Sequence, residues 1–145
     1  MTLNRWDPLK DLLNFQEKLH RIAHHQADPR IRCTGHWCPV VDILETPDSY
    51  IFRLEVPGVG RENISVELRN NRLILSGTRP MPDEPQFAAY HIIERVHGYF
   101  ERSFSIPGNV DADKARATYV DGVLEVVLPK AEEEADRTVH IVCLG

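Results

Sequence analysis

The sequence predicts an all-β fold, an antiparallel sandwich or barrel, over the central part of the chain. Residues 39–130 contain several short runs in which apolar and polar residues alternate, as they do in half-buried strands. Turn signals such as Pro57-Gly58 and Asp121-Gly122 end these runs, and Asp-Gly is typical of a tight hairpin. No helical pattern interrupts the region, so we do not expect a parallel βαβ arrangement.

Each predicted strand has one apolar face. In the first, Tyr50, Phe52 and Leu54 alternate with polar or outward residues, and the fourth begins with the alternation of Phe100 and Arg102. The alternating runs, in chain order, are 50–56, 64–68, 72–76, 99–106, 115–119 and 124–128. Many short strands with frequent turns favour two packed sheets.

A helical arm is predicted before the strands, in residues 1–38. Asp7 is a plausible N-cap with Pro8 at the first helical position, and the pattern fades near His24 and His25. The residues after it, 26–38, have no clear periodicity. The apolar positions of the arm form a candidate surface for binding other proteins: Leu3, Trp6, Leu9, Leu12, Leu13, Phe15, Leu19 and Ile22.

The segment 131–145 is predicted to be an acidic linker followed by an extended tail. Val139, Ile141 and Cys143 fall on one face of that tail. A single short strand does not form a sheet by itself, so the tail needs an edge or groove in its own subunit or in another.

Composition limits the function classes. The chain has 145 residues, enough for one domain with extensions, and its net charge of −5 argues against nucleic-acid binding. No run approaches the roughly 20 apolar residues of a membrane helix, and the start lacks a signal-peptide pattern, so we expect a cytoplasmic protein without membrane contact. Its cysteines, Cys33, Cys38 and Cys143, are odd in number, which predicts free thiols.

No catalytic or cofactor-binding constellation is visible. Cys33, His36 and Cys38 are chemically suited to zinc, but their spacing matches no standard finger, so we interpret them as incidental. No oxyanion-hole motif supports a Cys–His hydrolase, and no phosphate-cradling glycine loop is present. The sequence predicts no enzyme, no metal and no cofactor.

A set of motifs, in this order and spacing, resembles the small heat-shock protein family and especially its bacterial branch. The resemblance spans nearly the whole chain, and Val139 departs from it by being one methylene smaller than the usual isoleucine. The matching motifs are Arg5-Trp6-Asp7-Pro8-Leu9, Val41-Asp42-Ile43, Leu54-Glu55-Val56-Pro57-Gly58-Val59, Glu94-Arg95, Phe100-Glu101-Arg102-Ser103-Phe104, Asp121-Gly122-Val123-Leu124, Leu128-Pro129-Lys130 and Val139-His140-Ile141.

The resemblance implies an immunoglobulin-like antiparallel β-sandwich, the α-crystallin domain, over residues 39–130. It also implies a homo-oligomer built from dimers that holds unfolded or partly unfolded client proteins without ATP and passes them to ATP-dependent refolding chaperones. The rival interpretation is a monomeric adaptor of the related CS-domain type. The apolar arm could bind clients, lie buried inside the oligomer, or do both in turn.

Arg102 is predicted to lie in phase with Phe100 and Phe104 on the apolar face. A buried unpaired guanidinium is costly, so Arg102 should lie at an interface or pair with a carboxylate; the alternative is that it extends to solvent at a sandwich edge. The resemblance favours the interface.

The Pro-rich segment 79–98 has two interpretations. It is either a disordered surface excursion or an exchange element whose short strand, His91, Ile92 and Ile93, adds to the edge of a partner subunit. The resemblance implies exchange, with the strand near Val41–Leu44 as acceptor and with Glu94 and Arg95 close to the subunit boundary. For the tail, it implies that Val139 and Ile141 anchor neighbouring subunits.

Overall fold

The computed structural model describes Leu12, Phe15, Gln16, residues 31–132 and residues 138–145. These residues contain two five-stranded sheets, with strand orders β1-β6-β5-β4-β9 and β10-β7-β8-β3-β2. The strands are β1 (Ile31–Gly35), β2 (Val41–Glu45), β3 (Ser49–Glu55), β4 (Ile64–Arg69), β5 (Arg72–Arg79), β6 (Gly98–Ser105), β7 (Arg116–Val120), β8 (Val123–Pro129), β9 (Thr138–His140) and β10 (Cys143–Leu144). Single 3-10 turns occur at Arg61–Asn63 and Ala112–Lys114. The predicted all-β sandwich is confirmed.

Two hairpins form where the sequence has turn signals. Asp121 and Gly122 join β7 to β8 with φ angles of 51° and 78°. Asn70 and Asn71 join β4 to β5 with φ angles of 46° and 55°. Two successive positive φ angles are those of a type I′ turn, whose twist matches that of the flanking strands. The predicted Asp-Gly hairpin is therefore confirmed.

The core lies between the two sheets and uses the faces that the alternation predicts. Leu54 on β3, Leu75 on β5 and Leu124 on β8 are fully buried, and the rings of Phe52 and Phe104 meet across the sheets with centroids 5.3 Å apart. The largest fully buried side chains are Phe100, Phe104, Leu54, Leu73, Leu75, Leu124, Leu128, Val56, Val126 and Pro39. Burial of this apolar surface is the main stabilising contribution to the fold.

Two features differ from the sequence-based expectation, and the predicted helical arm is described only in part. The strand β1 lies in a segment without clear periodicity and pairs with β6. The strand β10 pairs with β7 in parallel, so the second sheet is not purely antiparallel. Of the predicted helical arm, Leu12, Phe15 and Gln16 have helical conformation, and the rest lies outside the described residues. No helix within the described ranges is long and apolar enough to cross a membrane.

Candidate functional site

The strand β2 is an edge of the second sheet. It pairs on one side with β3, with Ile43 opposite Phe52, and it stands last in the strand order. Its apolar residues Ile43 and Leu44 are exposed. An exposed edge presents unpaired N–H and C=O groups and is a template for another strand. Among the described residues, the strand that the resemblance names as acceptor is therefore an edge strand, and its role as acceptor stays a prediction.

The segment between β5 and β6, residues 80–97, carries a series of exposed apolar side chains. Phe87 is 94% exposed, Ile92 74% and Ile93 60%. No strand is assigned to residues 91–93 within the single chain. Apolar side chains that find no cover in their own subunit mark a surface for protein contact.

Both ends of this segment, which we name the exchange loop after its predicted role, are held at the sandwich by contacts of Arg79. Arg79 donates from Nη1 to the Val96 carbonyl at 3.0 Å and places its guanidinium 3.9 Å from the centre of the Trp37 ring. Burial and the nearby charge of Arg95 lower the pKa of Arg79. Glu94 and Arg95 are exposed beside this attachment, close to the proposed exchange strand.

Arg102 lies on the inner face of the first sheet, as its alternation predicts. Its register partners are Cys33 on β1 and the fully buried Leu75 on β5. Its Nη1 donates to the Pro39 carbonyl at 2.7 Å and contacts Cys38 Sγ at 3.2 Å. The Cys38 sulfur and the Pro39 carbonyl thus cover one nitrogen of the partly buried Arg102 guanidinium.

The guanidinium of Arg102 is a cation that is partly removed from solvent. Burial lowers its pKa, its Nε is buried, and no hydrogen-bond partner for that Nε is found among the described residues. The guanidinium carbon lies 5.2 Å from the Phe104 ring centroid, which gives a weak cation–π contact. The predicted carboxylate partner is not found in the described part of the chain, so the interface interpretation remains a prediction.

The segment before β2 closes the same end of the sandwich. The Trp37 ring packs against Phe100 with centroids 5.1 Å apart, and its Nε1 donates to the Gly98 carbonyl at 3.0 Å.

Cys33 and Cys38 form a disulfide, with Cα atoms 5.9 Å apart. The prediction of free thiols is therefore wrong for this pair, because the chain turns after the unpredicted β1 and brings Cys38 back beside Cys33. The third cysteine, Cys143, is free and buried.

The C-terminal tail lies along the side of the sandwich opposite β2. Val139 is the register partner of Leu68 on β4, and the Ile141 amide donates to the Val66 carbonyl at 3.0 Å. Cys143 then pairs with Ala117 on β7, so the tail crosses from one sheet to the other. Val139, Ile141 and Cys143 all pack towards the core, which confirms the predicted common face. Within one chain, the tail fills the groove of its own subunit.

Of the client-binding candidates, Leu12 and Phe15 are described, and both are exposed. The other six lie outside the described residues: Leu3, Trp6, Leu9, Leu13, Leu19 and Ile22.

Comparison with known proteins decides the family. The profile of the Hsp20/alpha crystallin family matches residues 42–143, which is more than half of the chain. The chain belongs to the Hsp20/alpha crystallin family. Members of this small heat-shock protein family are stress chaperones and not enzymes, as the sequence predicts for this chain.

Relatives of this small heat-shock protein occur in bacteria and plants. Spore protein SP21 of Stigmatella aurantiaca is 30% identical over 143 residues, covering 97% of this chain and 83% of that protein. The 18.1 kDa class I heat shock protein of Pisum sativum is 34% identical over 132 residues, covering 90% and 80%. A crystal structure of a small heat-shock protein from Xylella fastidiosa, described as showing a distinct high order structure, is 32% identical with a TM-score of 0.60 and covers 70% and 94%.

The structure brings together some of the predicted site residues and separates others. Arg102 and the exchange loop lie near one end of the sandwich, while Val139 and Ile141 occupy the β4–β7 side. Sequence reasoning did not predict that Cys38 contacts Arg102 or that Trp37 packs against Phe100. The available signal was a Cys-x4-Cys spacing around Gly35 and, for Trp37, a large aromatic residue just before β2.

The contacts of Arg102 give a prediction for Arg102→Ala in this small heat-shock protein. The substitution removes the donor to the buried Pro39 carbonyl, at a cost of about 1–3 kcal/mol, and the packing against Phe104. We expect a Tm lower by several degrees and an altered oligomer mass, measured by calorimetry and light scattering. Arg53→Ala is the control, because Arg53 makes an exposed ion pair with Glu125 and should change little. Wild-type mass and melting in Arg102→Ala would show that Arg102 is an ordinary solvated edge residue.

Proposed function

We propose that this small heat-shock protein is an ATP-independent holdase that binds unfolding proteins and prevents their aggregation, working as a homo-oligomer built from dimers. The observation that carries the proposal is the exposure of apolar side chains on segments outside the core, in the exchange loop and at Leu12 and Phe15 of the arm. Such side chains cover apolar groups of an unfolding client and so block association between clients.

The dimer is proposed to form by strand exchange. His91, Ile92 and Ile93 of one subunit add to the open side of β2 in the other, near Val41–Leu44. This pairing satisfies the exposed backbone groups of the edge and covers Ile43 and Leu44. Glu94 and Arg95 then lie at the subunit boundary. Arg102 stabilises the same boundary through its hydrogen bond to Pro39, in the segment that leads into β2.

Larger assemblies are proposed to use the tail groove. A groove between β4 and β7 that accepts Val139 and Ile141 of its own chain has the shape to accept the same residues of a neighbour. The domain plan is then an arm of 1–38 that binds clients, a sandwich of 39–130, and an extension of 131–145 that links subunits. The end of the arm also belongs to the first sheet, because β1 pairs with β6.

The cellular context is proposed from the family. The chain is expected to work in the cytoplasm, hold clients without cofactor or metal, and release them to ATP-dependent refolding chaperones. Nucleic acid and membranes are not among its proposed partners, in agreement with the net charge of −5.

The holdase activity gives a prediction. Purified protein at a several-fold subunit excess should suppress heat-induced light scattering of a model client in the absence of nucleotide. Leu12→Ser with Phe15→Ser should weaken suppression, because these side chains are exposed and apolar. Strict dependence on ATP, or no suppression at this excess, would overturn the proposal.

The matched control replaces two exposed valines of the sandwich, Val120→Ser with Val123→Ser. It removes two exposed apolar side chains outside the arm and should retain suppression. An equal loss in both variants would show that client binding is not specific to the arm. The mass of the wild type separates the oligomeric chaperone from a monomeric adaptor.

A further inference from the structure

The pair Cys33 and Cys38 lies in a setting that distinguishes its two sulfurs. Cys38 Sγ is 3.2 Å from the Arg102 guanidinium, whereas Cys33 Sγ is 3.9 Å from the carbonyl oxygen of Trp37. A nearby cation stabilises a thiolate, and the negative end of a carbonyl dipole does not. After reduction, Cys38 is therefore the better nucleophile of the two.

The same pair is open to solvent, and its Cα atoms lie 5.9 Å apart, within the range that a disulfide spans. Both cysteines are exposed and line a depression of about 700 Å³ with Val41 and Arg102. Gly35 lies between them with a φ of +106°, and a Cβ there would collide with the Tyr99 carbonyl. Gly35 therefore permits the turn that brings the two cysteines together, a conformation that a residue with a Cβ would adopt only with strain.

We propose that Cys33 and Cys38 are a reversible dithiol–disulfide couple that reacts with low-molecular-weight disulfides, with Cys38 as the attacking thiol and Arg102 as its thiolate-stabilising neighbour. The couple joins β1 to the segment that leads into β2, so its oxidation state is tied to the start of the proposed dimer edge. This inference concerns a chemical site and goes beyond the proposed chaperone function.

The reaction proceeds in two exchanges. The Cys38 thiol gives its proton to water, and the thiolate attacks one sulfur of a disulfide such as oxidised glutathione; that S–S bond breaks and one glutathione thiolate leaves. The Cys33 thiolate, formed in the same way, then attacks the Cys38 sulfur and expels the second glutathione. The two cysteines lose two electrons and two protons, and one glutathione disulfide becomes two glutathione thiols.

Two measurements on the full chain test the couple. Both cysteines fall in the tryptic peptide 33–53, so the disulfide appears as a peptide lighter by two hydrogens. Equilibration with mixtures of reduced and oxidised glutathione should move this peptide reversibly between the two forms. In the reduced protein, a limiting amount of iodoacetamide should label Cys38 about tenfold faster than Cys33, as fragment ions of the peptide show.

The outcomes separate the proposal from its alternatives. Equal labelling of the two cysteines would contradict the proposal that Arg102 stabilises the Cys38 thiolate. A peptide that stays in one form across all glutathione mixtures would contradict a reversible couple. Cys143→Ser leaves both cysteines in place and should give the same result, which excludes exchange with the third thiol. Because no client or oligomer measurement enters, failure here leaves the chaperone proposal intact.

Discussion

Replacing Ile92 and Ile93 together by aspartate is expected to convert the proposed dimer into monomers. In the single chain both side chains are exposed, so the change should leave the sandwich folded. In the proposed dimer it places two charges beside a β2 edge that already carries Asp42 and Glu45. The physical effect is the loss of apolar cover together with repulsion between like charges.

The expected size of this effect is large. Burying an isoleucine contributes about 1.5–3 kcal/mol, so removing two weakens association by about 3–6 kcal/mol before repulsion is counted. Each 1.4 kcal/mol corresponds to about a tenfold change in Kd, so the dimer constant should weaken by about 100-fold or more. Sedimentation velocity at micromolar concentration should show the monomer.

A matched control is available in the same loop. Met81→Asp with Phe87→Asp introduces the same charge at exposed apolar positions outside the proposed exchange strand. It should retain the dimer. Dissociation in both variants would show that the loop acts through its general apolar surface, and an unchanged wild-type mass in the Ile92 and Ile93 variant would contradict strand exchange.

The sandwich was predictable from the sequence because its strands are half buried and their alternation is strong. Strands β3, β5 and β8 place a fully buried leucine on the inner face, and the Asp121-Gly122 turn fixes one hairpin register. The local pattern and the tertiary burial point to the same face in these strands.

Strand β1 was not predictable because burial does not hold it in place. Four of its five residues are exposed, all but Ile31. The strand is held by backbone pairing with β6, which leaves no alternation in the sequence. The contact between Arg102 and Cys38 depends on this pairing, and so does the disulfide. Sequence spacing identified Arg102 as unusual but could not supply its neighbours, because Cys38 lies 64 positions away.

Replacing Val139 and Ile141 together by alanine is expected to convert large oligomers into dimers or other small species. Both side chains pack against the core beside β4, and the substitutions remove five carbon atoms from that contact. At about 0.8 kcal/mol per buried methylene, the tail loses up to about 4 kcal/mol of binding. The fold should survive, because the strands that carry the fully buried leucines end at Pro129 and the tail adds only the edge strands β9 and β10.

The position of the tail on its own subunit sharpens this prediction. A groove that holds one tail cannot hold a second, so the chain's own tail and a neighbour's tail compete for it. The linker 131–137 reaches about 23 Å when extended, so the tail is not confined to the end of β8. Each contact is weak by itself, but many linked copies hold an assembly together while single contacts exchange.

The control for the tail uses its opposite face. His140→Ala with Val142→Ala changes exposed residues on the face opposite the anchors and should leave the oligomer mass unchanged. Size-exclusion chromatography with light scattering measures the mass, and circular dichroism verifies the strands. If the Val139 and Ile141 variant keeps its large mass, the tail serves only to close its own subunit, and the N-terminal arm must then be the element that joins dimers.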